Sequence, residues 1–233
     1  MSKAKAAAAE AAEPAAPSQI HIPEFNFKTA RIRVVGLTSL ICHAFPDKEK
    51  KRMYLTRTTD QSVQDAAAAT GSRGKKAARP VRDPQAEYLE SLYPLEDGKG
   101  YGFPAIAFKR AIVGACRQVS NLDMTMANRL IFVKAPFQSK GFGCVQIIGK
   151  PKMREDVVRL SGIDKPPDIR WRGEFWPWAV DLDIEFNLSM ISIEGIMRLI
   201  QYAGKSEGVG ESRPSSPKKP GDNGQFRPAG TKE

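Results

Sequence analysis

PDIRWRGEFWPWAVDLDIEFNL, residues 167–188, carries the strongest structural signal in the chain and decides its class. Pro177 divides it. After the proline, Trp178, Val180, Leu182, Ile184 and Phe186 alternate with Asp181, Asp183, Glu185 and Asn187. A period of two puts the apolar set on one face of a strand and the polar set on the other. Before the proline, IRWRGEFW reads as a second strand. Working outward, FKTARIRVVGLTSLI, residues 27–41, alternates Ile32 and Val34 with Arg31 and Arg33, again a half-buried strand. Gly36 there signals a bulge or a close backbone approach. IFVKAP, 131–136, and CVQIIGK, 144–150, read as strands split by the hairpin-like QSKGFG.

Helical signals lie between and after these strands. Pro46 and the basic residues after it suit a short helix over 46–54. Asp83-Pro84 opens a helix over 84–93, with Tyr88, Leu89 and Leu92 on one side. Pro104 starts AIAFKRAIVGACRQV, which runs to about 119 and offers Ile106, Phe108, Ile112, Val113 and Cys116 as its buried side. Residues 125–130 add a helical turn. Ser192 caps a last helix, and Gly204 is its expected C′ stop. Strands flanking helices, ending in a strand and then a helix, predict an α+β fold: a ferredoxin-like or RRM-like antiparallel sheet with helices packed on one face. Three segments complete the expected organisation. Residues 1–19 form a disordered Ala/Pro-rich arm, 20–204 a single α+β domain with a flexible basic loop at 56–82, and 205–233 a Gly/Pro/Lys-rich tail.

The 233 residues carry a formal net charge of +10, which attracts polyanions such as nucleic acid or an anionic membrane surface. Cys42, Cys116 and Cys144 are widely spaced, form no CxxC or Cys/His cluster, and read as small core residues of a reducing compartment. The first 18 residues lack the apolar core of a signal peptide, and no stretch approaches the roughly 20 apolar residues of a membrane span. A cytoplasmic protein that uses no cofactor and no membrane is the expectation.

Several constellations bear on chemistry. Asp181, Asp183 and Glu185 share a strand face and could hold Mg²⁺. Arg31 and Arg33, or Arg170 and Arg172, could instead pair with such acids across strands, which is the favoured reading. Trp171, Phe175, Trp176 and Trp178 interleave with Arg170 and Arg172, an arrangement suited to base stacking or to core packing. Trp178 goes to the core on its alternation, and Trp176 is the candidate stacking ring. The basic loop supplies Arg57, Arg73, Lys75, Lys76, Arg79 and Arg82 for phosphate contact. Gly204, Gly208 and Gly210 beside Lys205 could bring backbone amides to an anion or simply form a cap and linker. Cys42-His43, as strand neighbours, point apart and make no catalytic pair.

GFPAIAFKRAIVGACR, 102–117, resembles the Gly/Pro turn and basic helix of the RAMP superfamily, the guide-RNA-binding backbone subunits of CRISPR effector complexes. The final strand, helix and glycine-rich stretch resemble that superfamily's glycine loop. GLTSLICHAF, SLYPLEDGKGYGFPAIAFK and YAGKSEGVGESRP are similar to a family of proteins encoded by phages and prophages. The RAMP resemblance implies a ferredoxin-like core that holds single-stranded RNA or DNA by its backbone, with Lys109, Arg110 and Lys205 on phosphates. The glycine loop is interrupted by Ser-Pro-Lys sequence, and no aspartate matches the RNA-cleaving residue of some members, so the resemblance implies binding and gives no support to cleavage. The expected function is non-catalytic binding of single-stranded nucleic acid, RNA or DNA, through the basic loop and helix, as a RAMP-like filament, a homo-oligomer or a subunit of a complex. The alternative is a phage structural or assembly protein that self-associates or docks an acidic partner.

Overall fold

Phe27–Gly36 forms strand β1, and its partner is the alternating segment Ala179–Asn187, β9. The two run antiparallel over nine residue pairs, from Phe27 opposite Asn187 to Val35 opposite Ala179. This computed structural model describes residues 25–45, 82–159, 167–217 and 219–230. The expected 1–19 arm, the 46–54 helix and nearly all of the basic loop lie outside these residues.

The core follows from the alternation. Trp178, Val180, Leu182, Ile184 and Phe186 are all buried, as are Ile32 and Val34 opposite them. Helices α2 (Ala105–Ala115) and α4 (Ile193–Tyr202) pack on that face. Burying each of these large apolar side chains contributes about 1.5–3 kcal/mol. Phe108, Ile112, Val113 and Cys116 are buried as the sequence indicates, but Ile106 is 45% exposed because it falls on the outer side of α2. Leu89 of helix α1 (Pro84–Ser91) is likewise exposed, while Tyr88 and Leu92 pack inward.

Among the described residues, two antiparallel sheets form. The larger has the order β10-β1-β9-β6-β3, with β3 Gly102–Pro104, β6 Phe142–Ile148 and β10 Phe226–Pro228. Strand β4 (Ile131–Val133) adds to β9, and β5 (Phe137–Ser139) adds to β6. The smaller sheet has the order β2-β8-β7: Leu40–Cys42, Pro167–Phe175 and Pro151–Arg159. Helix α1 packs on β8, and the short helix α3 (Met124–Leu130) precedes β4.

The long strand read over 27–41 is two strands in two sheets. Gly36 sits at the break, where a side chain would collide with the Trp178 indole, and its N–H donates to the Trp178 carbonyl at 2.9 Å. The hairpin partner of β6 is β5 rather than 131–136. Lys140 and Gly141 both take positive φ, 49° and 79°, which suits a tight two-residue turn. Ile131 instead lies opposite Phe186, where its side chain enters the core.

Where it is described, over 205–217 and 219–230, the stretch after Gly204 is part of the fold and not the expected tail. Helix α4 continues through a π turn, Ala203–Glu207, to Gly208 at φ 65°. Gly204 is therefore no stop. Its missing side chain makes room for the Phe226 carbonyl. Phe226 is buried between Phe108 and Trp178, with ring centroids 5.7 and 6.4 Å away, and Val209 is buried as well. These two apolar anchors hold a glycine-rich segment that has no period of its own.

Candidate nucleic-acid interface

The face of β1 and β9 opposite the helices is open, and its charges are arranged by register. Arg31 lies opposite Asp183 and Arg33 opposite Asp181. Each guanidinium makes two hydrogen bonds to its carboxylate, at 2.7 and 2.8 Å in both pairs. These bonds hold Asp181 and Asp183 below the usual carboxylate range. Lys134, just past β4, reaches Glu185 at 3.3 Å and Thr29 at 2.9 Å. The whole acid row is thus engaged by cations, which is the cross-strand reading of these residues. Among the described residues, no cluster of three His, Cys, Asp or Glu side chains could hold a metal ion.

At one end of this face the charged rows give way to rings. Phe27, two residues before Thr29, and Phe132, opposite Glu185, project on the same side as the arginines. The Phe25 and Phe27 ring centroids lie 5.0 Å apart, tilted by 38°, and those of Phe27 and Phe132 6.1 Å apart, tilted by 49°. Phe25 is 87% and Phe132 41% exposed, although large apolar rings usually seek the core. The ammonium of Lys109, from α2, sits 4.5 Å over the Phe132 ring. The sequence reading missed these phenylalanines. The signal was present, since Phe27 has the parity of Arg31 and Arg33.

The other candidate residues are scattered. Arg57, Arg73, Lys75, Lys76 and Arg79 lie outside the described residues. Arg82 is occupied: it binds Glu87 at 2.6 Å and Asp168 at 2.7 Å, and stacks 5.0 Å over Trp171. Arg110 is exposed on α2. Trp176 is half exposed, at the turn where its peptide bond to Pro177 is cis, and stands apart from the phenylalanine row. Arg170 and Arg172 line a cleft on the smaller sheet, with Arg172 itself buried. Lys205 contacts Gln225 at 3.4 Å. In the glycine-rich stretch, the amides of Gly208, Val209, Glu211 and Gly224 donate to Ala203, Gly224, Ile41 and Ser39 carbonyls, so they serve the fold.

The three cysteines are buried, and burial raises the thiol pKa of each, that of Cys144 to about 11. They are poor nucleophiles in this state. Among the described residues no helix is long and apolar enough to cross a membrane. No protein-family model matches the chain, and no curated protein matches it.

Proposed function

We propose that this protein binds single-stranded nucleic acid, RNA or DNA, without cleaving it, and that bases stack on the Phe25–Phe27–Phe132 row. The observation that carries the reading is this row of rings, exposed at Phe25 and Phe132 and half-buried at Phe27, with the Lys109 ammonium at one end. Rings accept any base face, and neighbouring cations take the phosphates, so such a surface grips a strand with little sequence preference. Duplex bases are already stacked on each other and cannot use it.

Two further features support the reading. The order β10-β1-β9-β6, with α2 between β1 and β6 and α4 between β9 and β10, follows a β-α-β-β-α-β course. This supports a ferredoxin-like or RRM-like core, in which the open sheet face is the natural platform. The net charge of +10 supports a polyanionic partner. On this reading the chain works in the cytoplasm, that of a host cell if it is phage-encoded, and the RAMP-like helix contributes Lys109 and Arg110 to phosphate contact.

Fluorescence anisotropy with labelled single-stranded and duplex oligonucleotides, across a salt series, tests the proposal. Single strands bind more tightly, and affinity falls steeply with salt. Phe27→Ala and Phe132→Ala each weaken single-strand binding by about 1–3 kcal/mol. Unchanged affinity in the double variant would remove the row from the account.

One observation favours the assembly reading instead. A groove of about 650 Å³ between α3 and α4 joins Leu122, Met126, Leu130 and Ile191 to the polar Gln118, Asn121 and Arg198. Exposed apolar surface of this kind suits a protein partner. A large species on a sizing column that survives nuclease treatment would favour that function.

A further inference from the structure

The smaller sheet carries a second cationic feature, remote from the outer face of β1 and β9. A cleft of about 460 Å³ lies between strands β7 and β8 on one side and residues 211–217 and 219 on the other. Arg159, Arg170, Arg172 and Lys219 line it, against the acids Asp156 and Glu211. Asp156 is already shared: it accepts from Arg154 at 2.9 Å and from Arg172 at 3.3 Å. Among the described residues, Arg170 has one long contact, 3.8 Å to Asp168, whose other oxygen is taken by Arg82 at 2.7 Å. Asp156 and Asp168 are thus each shared between two guanidinium groups.

Burial adds a further demand. Arg172 is 6% exposed, and its Nε has no acceptor among the described residues. A buried charged donor left without an acceptor costs more than an ordinary missing hydrogen bond. His43 lies one step past β2, in line with Arg172 by the register of β2 and β8, and its buried Nδ1 also lacks a partner. Ser212 and Ser216 add hydroxyls to the wall of the cleft. The complement of such a wall is a compact group with several acceptor oxygens and more than one negative charge. Guanidinium groups match a phosphate of this kind in shape as well as in charge.

We propose that this cleft is a phosphate-binding site that takes a phosphomonoester, the phosphate of a nucleotide or of a strand end. The volume suits a ligand of nucleotide size. The site is separate from the phenylalanine row and does not depend on it.

Titration calorimetry of the whole protein with inorganic phosphate and with adenosine monophosphate tests the free ligand. Anisotropy with 5′-phosphorylated and 5′-hydroxyl forms of one oligonucleotide tests the strand end. Arg170→Gln combined with Lys219→Gln removes two cations at partly exposed positions, and its thermal unfolding is compared with the wild type to establish that it is folded. The expected result is binding of the monophosphate, or a preference for the phosphorylated strand, that falls by roughly tenfold or more in the folded double variant. Binding of both small ligands points to a free nucleotide, and a preference confined to the oligonucleotide points to the strand end. No binding in either arm, or equal binding by the variant, overturns the proposal. The 5′-hydroxyl strand separates the two sites, because its affinity follows Phe27 and Phe132 and not Arg170 and Lys219.

Discussion

Gly204 shows how much can depend on one missing side chain. The position is buried in the π turn after α4, and the Phe226 carbonyl occupies the space that a Cβ would need. Gly204→Ala must push β10 away from the helix, and overpacking of this kind costs typically ~1–3 kcal/mol. Urea unfolding should show a lower midpoint with an unchanged slope, and an unchanged midpoint would mean that the contact yields freely. In the sequence, a glycine after an amphipathic helix has the signature of a C′ residue. A glycine needed for close packing looks identical, because the atom it accommodates is distant in the chain. Trp178 and Gly36 were easier to read, since the alternation that buries the indole also fixes where the neighbouring strand must come close.

Among the elements, legibility followed the number of faces that are buried. Strand β9 has one dry face and one charged face, so its pattern is plain, and the Arg31 and Arg33 partners of its acids could be anticipated from β1. Strand β7 is largely exposed or half-buried along its length, and without an apolar period it left no signal. Strand β10 is only three residues long, too short for any period. Its weight lies in one ring. Phe226 is 1% exposed, and Phe226→Ala is expected to cost about 3–5 kcal/mol, measured by urea unfolding. A loss below about 1 kcal/mol would mean that the C-terminal segment is only loosely held. The phenylalanine row was lost to sequence reading for the opposite reason. Its members come from two strands, and only pairing through β9 brings Phe132 toward Phe27.

The molecule as a whole should lose stability toward acid in two stages. His43 titrates below its ordinary value, because burial and then the charge of Arg172 oppose its protonation. Between that depressed value and about pH 6.5, the unfolded chain binds the extra proton, so stability rises with pH and falls on acidification. Asp181 and Asp183 contribute above the ordinary carboxylate range, near pH 4, and lose that contribution as the pH falls through their depressed values. Urea midpoints taken from about pH 8 down to about pH 3 should therefore fall in two steps, and His43→Gln should remove the upper step only. Equal slopes for both proteins above pH 5 would remove His43 from the account.

The pairing of Val34, Val35 and Gly36 with residues 226–228 also sets an order of events during synthesis. A ribosome releases β1 well before its β10 partner, with residues 37–225 made in between. Until then one edge of β1 presents unpaired amides and carbonyls to every neighbouring nascent chain. Contacts so distant along the chain slow folding, and an open edge of this kind invites pairing between molecules. Chaperone demand should thus persist until residues 226–228 emerge and close that edge.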